Sequence, residues 1–267
     1  MNLYKCHILD KLNESKVDQH PFHHLFIENI FPIDLYQSIN GVVCDIEISN
    51  KFEFRPQDNV KYLNKRFPIF DHSNPRIQQI KTLFEDKDIK DLVLSKFFIN
   101  FPIVGKIGIH ENEFEFVCSD ANRFQNIHVD VPAKFLSFVF YFPNTTTAIS
   151  QSEQYDNGTI LYDKNLQPIK KAKYVPNSVC IFAPHLYSYH GFNTTIPRTA
   201  LVMFYVDKSI FNHFGHSELT IESFKDLIIT KLSKYPLIEY SNDADKMQKE
   251  KSICKINDPN GRVMIQS

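Results

Sequence analysis

The sequence lacks any dense cluster of basic residues, and its charges nearly balance. Lysine and arginine together number 30, against 31 aspartate and glutamate residues, which gives a formal net charge of −1 at pH 7. Proteins that bind nucleic acid usually carry a basic stripe or patch that neutralises phosphates. We therefore expect no nucleic-acid partner and favour a small or neutral one.

Long apolar runs are also missing. No stretch of about 18 apolar residues, the length that spans a bilayer as a helix, occurs in the chain. The opening MNLYKCHILDKLNESK has no continuous apolar segment of the kind found in secretory signals. We expect a cytoplasmic protein without membrane contact.

The five cysteines form no recognisable pattern. They are odd in number and include no C-x-x-C pair, because they lie at positions 6, 44, 118, 180 and 254. This arrangement argues against a disulfide framework and against a cysteine zinc site. We interpret them as reduced, mostly buried thiols.

Composition and length indicate one globular domain. The chain has 267 residues and is 43% hydrophobic, which is enough to bury a sizeable core. We predict a single domain over residues 1–267. Its three parts are helices and loops over 1–101, a β core over about 102–207, and a helix with a tail over 215–267.

The first and last parts are predicted from helical periodicity and turn residues. The C-terminal helix, after residue 217, has an apolar stripe on one face, and the last ~25 residues read as a loose tail. Residues 51–73 are polar and irregular and could form a loop over a site. The other predicted elements are a strand at HLFIEN and helices over 34–41, 76–85 and 89–98.

The middle part, over about 102–207, has the sequence pattern of an antiparallel β structure. Its apolar segments are short and are separated by Pro, Asn, Gly and Asp, as in sandwiches and jelly rolls. We therefore predict an α+β, mainly β fold: a jelly-roll core with N-terminal helices packed against it and a C-terminal helix. The predicted strands are VGKIGI, FEFVCS, NIHVDV, FLSFVFYF, GTILYD, SVCIFA, LYSYHGF and TALVMFYV.

A histidine and a carboxylate precede one of the most apolar segments, in NIHVDVPAKFLSFVFYFP. Side chains alternate along a strand, so His128 and Asp130 are expected to project together into an exposed barrel mouth. An imidazole and a carboxylate suit a divalent first-row metal, and a third ligand would complete one face of its coordination shell. His190, two or three strands later, is the candidate third ligand.

Arginine is rare, so each one is a candidate for a specific contact. Arg198 follows His190 and opens the predicted strand TALVMFYV. Its guanidinium offers a rigid fork for a carboxylate, which a lysine ammonium does not. His185 competes with His190 as a ligand, but it would face the opposite side of a continuous strand, and we interpret it as a loop or core histidine.

These residues, in order, resemble the pattern of the iron(II)- and 2-oxoglutarate-dependent dioxygenases. That pattern is H-x-D, a long interval, a second histidine, and an arginine near the start of the next strand. The match runs from His128-Val129-Asp130 through His190 to Arg198. The segment NGTILYD is similar to the family's Gly-Gly-x-Leu strand, with Asn157 in place of the first glycine. The opening HHLFIENIFPIDLYQSI is similar to the first strand and helix of several members.

The resemblance implies a double-stranded β-helix in which His128, Asp130 and His190 hold Fe(II) and 2-oxoglutarate chelates the metal. Arg198 would bind the far carboxylate of this cosubstrate, and the hydroxyl groups of Tyr141 and Thr159 are further candidates for contacting it. The implied reaction uses O2 to hydroxylate a C–H bond and releases succinate and CO2, with ascorbate as a supporting reductant. Desaturation is also compatible, whereas halogenation is disfavoured because related halogenases have a small residue in place of the aspartate.

Two other interpretations stay open. A jelly-roll binding or scaffold protein without chemistry is suggested by the altered Asn157-Gly158 pair. A cupin-like metalloenzyme would bind the metal without depending on Arg198. The substrate is expected to be a small molecule or a peptide, because specificity in such folds resides in loops.

Overall fold

The computed structural model describes most of the chain. The described residues are 3–49, 64–68, 74–99, 107–110, 114–143, 150, 156–207, 221–238, 255–256 and 263–264. The histidines at 213 and 216 and most of the predicted 51–73 loop lie outside them.

Five helices lie in the described parts, and two begin at residues that favour helix starts. The Asn74 side chain accepts a hydrogen bond from the Arg76 amide, and Pro75 follows at the first helical position. The Asp86 side chain accepts from the Asp88 amide in the same way. The helices are α1 (Leu3–Glu14), α2 (Ile33–Ser49), α3 (Pro75–Glu85), α4 (Lys87–Phe97) and α5 (Ile221–Lys234).

Thirteen strands lie in the described parts of the chain. They are β1 (His24–Glu28), β2 (Asn64–Pro68), β3 (Ile107–Ile109), β4 (Glu115–Ser119), β5 (Phe124–Val129), β6 (Lys134–Tyr141), β7 (Ile160–Tyr162), β8 (Pro168–Lys171), β9 (Ser178–Phe182), β10 (His190–Asn193), β11 (Arg198–Asp207), β12 (Lys255–Ile256) and β13 (Val263–Met264).

The strands form two antiparallel sheets. The larger sheet has the order β1-β9-β6-β11-β4-β2, and β3 also pairs with β11. The smaller sheet has the order β12-β13-β5-β10-β7-β8. Side chains from both sheets line a common cavity, so the sheets face each other. The predicted α+β, mainly β jelly roll is confirmed.

The central strand β6 explains why FLSFVFYF is almost wholly apolar. All eight residues of β6 are buried. Phe138 and Phe140 face the helices, where their rings lie 5.6 Å and 5.4 Å from the ring of Phe84 in α3. Ser137 and Val139 face the cavity between the sheets. Because both faces of this strand are buried, its sequence is a nearly continuous run of apolar residues rather than an alternating pattern.

Several elements differ from the sequence prediction. The helix α2 continues past Gly41 to Ser49, because an interior glycine costs only about 0.5–1 kcal/mol and Val43 gains burial in the core. The helix α1 and the strands β2, β8, β12 and β13 were not predicted. The sheets therefore extend beyond 102–207: β1 and β2 join the larger sheet, and β12 and β13 join the smaller one.

Among the described residues, no helix has both the length and the apolar composition needed to cross a membrane.

Candidate metal centre

The pairing of β5 with β10 brings the two candidate histidine ligands together. His128 is directly opposite His190 in the register, and their ring centroids lie 4.2 Å apart. Both side chains are buried. The two strands therefore position both imidazoles at one point of the cavity, although the residues are far apart in the sequence.

Backbone carbonyls fix the orientation of both imidazoles. The Nδ1 of His128 lies 2.8 Å from the carbonyl oxygen of Asn126, and the Nδ1 of His190 lies 2.9 Å from that of Ser188. A carbonyl only accepts, so each Nδ1 carries a proton, and Nε2 is the nitrogen that can offer a lone pair to a metal when the ring is neutral. This is the usual arrangement for histidines that bind a metal through Nε2.

Asp130 completes a three-residue cluster just after the end of β5. Ligand atoms of His128, Asp130 and His190 all lie within 4.8 Å of one another. Among the described residues, this is the one group of three or more His, Cys, Asp or Glu side chains so arranged. Two imidazole nitrogens and a carboxylate oxygen suit a divalent first-row metal.

The carboxylate of Asp130 is held by two neighbours on the next strand. Lys134 donates to Oδ1 at 3.0 Å, and Ser137 donates to Oδ2 at 2.6 Å. Burial alone would raise the pKa of Asp130, but the Lys134 ammonium, the two histidines and the Ser137 hydroxyl lower it well below its usual range. The carboxylate is therefore ionised and oriented.

The expectation that Asp130 lies exposed at a barrel mouth is wrong. Its relative exposure is 3%, and its partner Lys134 is equally buried. The reason is that Asp130 lies at the turn into β6 and its carboxylate is directed inward, to Lys134 and Ser137 of that strand. Loss of the Asp130 carboxylate would leave the Lys134 ammonium buried without its counter-charge, so we expect the substitution of Asp130 to lower stability.

Arg198 lies in the same cavity as the three candidate ligands. Its side chain is buried, and its Nε donates to the carbonyl oxygen of Asn157 at 3.0 Å. The centre of the guanidinium lies 4.2 Å from the ring centroid of Phe192. Among the described residues, no carboxylate forms a salt bridge with Arg198. A buried guanidinium of this kind is a suitable partner for an anionic ligand.

Tyr141 and Thr159 lie together, but only one of them lines the cavity. The Tyr141 hydroxyl donates to Thr159 Oγ1 at 2.7 Å and accepts from the Thr159 amide at 3.0 Å. Thr159 is among the cavity-lining residues and Tyr141 is not. Burial raises the pKa of Tyr141 to about 12, so this hydroxyl stays protonated.

A β-bulge adds a polar residue that the sequence interpretation missed. Phe192 pairs with Gln125 and His190 with His128, so β5 has one extra residue in this interval. Gln125 and His128 consequently face the same side, with Gln125 Nε2 lying 3.3 Å from His128 Nε2. A Cβ on Gly191 would lie 2.7 Å from the Gln125 carbonyl oxygen, so glycine is needed opposite the bulge.

The other described histidines do not join the cluster. His185 is buried in a turn, where its Nδ1 accepts from the Tyr187 amide at 3.1 Å. Its placement as a loop or core histidine is therefore confirmed. His23 Nε2 lies 2.6 Å from the carbonyl oxygen of Ile238, and His24 Nδ1 lies 2.7 Å from that of Phe22.

The remaining residues that the sequence interpretation missed had only a weak signal. Lys134 and Ser137 are lone polar residues in the apolar run AKFLSFVFYF. A polar side chain in a strand that is buried on both faces requires a partner, and this could have indicated a buried network. The full set of cavity-lining residues is Val117, Gln125, His128, Asp130, Lys134, Ser137, Val139, Thr159, Phe182, His190, Gly191, Phe192, Arg198, Val202 and Phe204.

The fold of the chain is similar to that of known oxygenases. The two facing antiparallel sheets match the jelly-roll fold of solved prolyl hydroxylases, and the His-Asp-His cluster is compatible with the three-residue metal site of 2-oxoglutarate- and iron(II)-dependent oxygenases. No protein-family model and no curated protein matches the sequence.

Solved structures with a similar fold include three prolyl hydroxylases. A prolyl hydroxylase from Trichoplax adhaerens, in complex with a hypoxia inducible factor peptide fragment, has a TM-score of 0.53 and 13% identity, covering 77% of this chain and 90% of that one. A prolyl-4-hydroxylase from Pseudomonas putida has a TM-score of 0.52 and 10% identity, covering 76% and 98%. A prolyl 4-hydroxylase from Phytophthora capsici has a TM-score of 0.54 and 11% identity, covering 88% and 77%.

Proposed function

We propose that this protein is a non-haem Fe(II), 2-oxoglutarate-dependent dioxygenase that hydroxylates a C–H bond of a small molecule or peptide. The observation that carries the proposal is the meeting of His128, Asp130, His190 and Arg198 in one cavity. In the proposed reaction, one atom of O2 enters the hydroxyl group of the product. The other atom enters succinate as 2-oxoglutarate loses CO2.

The three candidate ligands would hold Fe(II). The Nδ1 proton of each histidine is donated to a backbone carbonyl, so Nε2 is the nitrogen that each neutral ring would offer to the metal. Asp130 retains lone pairs on both oxygens after accepting from Lys134 and Ser137. Bound iron would supply the activation of O2 and the removal of hydrogen from the substrate, chemistry that no side chain provides alone.

Arg198 would bind the distal carboxylate of 2-oxoglutarate. It is buried, and it is held by the Asn157 carbonyl and by the face of the Phe192 ring. A charge-assisted contact in such a water-poor site is stronger than one at the surface. Thr159, which lines the same cavity, would add a hydroxyl contact, with Tyr141 fixing its side chain.

Lys134 and Ser137 would keep the carboxylate of Asp130 ionised and hold it in one orientation. A carboxylate that accepts from two fixed donors cannot rotate freely, so its lone pairs are presented in one direction. Neither residue needs to contact the substrate for this role. Their contribution is to the affinity of the site for a cation.

The lining of the cavity bears on the class of substrate. The cavity is lined by six valine and phenylalanine side chains together with eight polar or charged ones, a combination that suits an organic substrate with some polar groups. The Trichoplax adhaerens prolyl hydroxylase was solved with a peptide. A peptide or a small molecule with an accessible C–H bond is therefore the proposed substrate.

The proposal is tested by the turnover of 2-oxoglutarate. Purified protein supplied with Fe(II), ascorbate, O2 and a panel of peptides and small molecules should convert 2-oxoglutarate to succinate. Arg198→Ala should raise the KM for 2-oxoglutarate strongly, while Arg76→Ala, which changes an exposed arginine on α3, should leave it unchanged. Absence of both turnover and 2-oxoglutarate binding in the wild type would contradict the proposal.

A second candidate is a jelly-roll binding protein without catalysis. The ammonium of Lys134, 3.0 Å from Asp130, can satisfy the carboxylate without a metal, and this favours such a protein. Metal analysis separates the two, since a binding protein of this kind would take up no divalent ion. A cupin-like metalloenzyme would instead bind the ion and show the same turnover with Arg198→Ala.

A further inference from the structure

A buried lysine from the C-terminal helix contacts the structure around the metal centre. Lys231, in α5, is 8% exposed, although its side chain carries an ammonium group. Its Nζ donates to the carbonyl oxygens of Lys134 and Pro184, both at 2.8 Å. These acceptors belong to two separate segments of the chain, so one side chain ties the two segments together.

The first of these segments carries the carboxylate ligand. Lys134 ends a tight turn, in which its amide donates to the Val131 carbonyl at 3.0 Å. Asp130 lies immediately before this turn, and the Lys134 side chain reaches back to it. Holding the Lys134 carbonyl in place therefore limits the movement of Asp130.

The second segment leads to the histidine ligand. Pro184 lies between the end of β9 and the turn His185–Ser188, in which the Ser188 amide donates to the His185 carbonyl at 3.2 Å. The carbonyl of Ser188 accepts the Nδ1 proton of His190 at 2.9 Å and so sets the direction of that ring. Holding Pro184 in place therefore limits the movement of His190.

The helix that carries Lys231 is firmly attached to the core. Phe224, Ile228 and Leu232 are all buried in the main hydrophobic cluster. Just beyond the helix, the ring of Tyr235 packs edge-on against that of Phe135, with centroids 5.3 Å apart. The lysine side chain thus extends from a rigid base, as a positioning group requires.

The contact does not depend on the charge of Lys231. Burial lowers the pKa of Lys231 to about 7, while the nearby Asp130 carboxylate opposes this shift. A neutral amine still has two N–H bonds, one for each carbonyl. The link between the two segments is therefore expected to persist on both sides of neutral pH.

We propose that Lys231 is a positioning residue for the metal centre, which fixes Asp130 and His190 relative to each other through the two backbone segments. This inference rests on the proposed function, because it treats those residues as ligands. The inference extends the proposed function to α5: this helix contributes none of the candidate ligands, but through Lys231 it helps to hold them in position.

The test is the affinity for Mn(II) or Co(II), measured by titration calorimetry without O2. Lys231→Met keeps the apolar stem and removes both hydrogen bonds, and it should weaken binding by about 10–100-fold, as the loss of groups that orient metal ligands does. The visible absorption bands of the Co(II) protein should shift in the same variant. Ile228→Ala, a matched control in α5, should lower thermal stability but leave the metal affinity and the Co(II) bands unchanged.

The outcomes separate the inference from the proposed function. A folded Lys231→Met protein with wild-type affinity, or equal weakening by both variants, overturns the inference alone. A wild-type protein that binds no divalent ion overturns the proposed function and this inference with it.

A second measurement needs no variant. Coupling is reciprocal, so Mn(II) binding to the wild-type protein should slow amide hydrogen exchange in α5 as well as near the ligands. Slower exchange near the ligands with no change in α5 would overturn the inference.

Discussion

Asp130 is expected to stabilise the fold as well as to bind a cation, and Asp130→Ala tests this dual role. The substitution removes the carboxylate that receives hydrogen bonds from Lys134 and Ser137. Lys134, which is 3% exposed, then stays buried without this counter-charge. The variant should therefore lose stability even where no metal is present.

The magnitude follows from the burial of both partners. Removal of one member of a buried ion pair costs about 3–5 kcal/mol, because the remaining charge is poorly compensated. An exposed pair would cost only about 0–1 kcal/mol. The carboxylate and the ammonium are both nearly inaccessible, so the larger figure applies.

The assay is urea unfolding of metal-free protein, arranged as a double-mutant cycle. Asp130→Ala should lower the free energy of unfolding by about 3–5 kcal/mol. Adding Lys134→Met should recover part of this loss, because the buried ammonium is then absent. The coupling between the two sites is expected to be about 1–3 kcal/mol.

Two results would refute this reasoning. One is a loss below about 1 kcal/mol for Asp130→Ala, which would place the carboxylate in an exposed setting. The other is strict additivity of the two substitutions, which would show that the ion pair contributes no energy of its own.

Three further predictions concern Gly158, Gly191 and His185. Gly158→Ala would place a Cβ 1.6 Å from the carbonyl oxygen of Ala172, so the melting temperature should fall sharply, whereas Gly41→Ala, with no atom within 4 Å, should leave it unchanged or raise it. Gly191→Ala should force the bulge in β5 apart and weaken Mn(II) binding in a calorimetric titration; wild-type affinity would refute the close approach. Burial lowers the pKa of His185 from 6.5 to about 3. As the pH falls, this imidazole is therefore protonated in the unfolded chain before it is protonated in the folded protein. The free energy of unfolding is therefore not reduced by His185 above pH 6.5, and it decreases as the pH falls toward 3, by up to about 5 kcal/mol. His185→Gln should make the free energy of unfolding less dependent on pH between 6.5 and 3. The same pH dependence in the variant and the wild type would contradict this prediction.

The strands of the middle region could be predicted because their apolar segments are bounded by turn residues. β8 could not, since PIKK is an exposed edge strand and carries no apolar pattern. α1 was missed for a similar reason, because only Ile8 and Leu12 of its residues are buried. The pairing of β1 with β9 depends on contacts between distant parts of the chain, which local patterns do not contain.

The candidate ligands could be found because their order along the chain matches a known pattern, and the structure brings them to one cavity. The residues that surround these ligands and hold them in place could not be found from their order along the chain. The extra residue in β5 that turns Gln125 inward depends on the pairing with β10. The contacts of Lys231 with two distant carbonyls likewise exist only once the sheets and α5 have assembled. Such partners are set by three-dimensional packing.

The most direct test of the metal centre is a calorimetric titration of the purified protein with Mn(II) in the absence of O2. The proposed site predicts one ion per chain for the wild type and for His7→Ala, which changes a histidine on α1 that does not line the cavity. His190→Ala should abolish this binding. Equal binding by the wild type and His190→Ala, or no binding by the wild type, would contradict the assignment of His128, Asp130 and His190 as ligands of one cation.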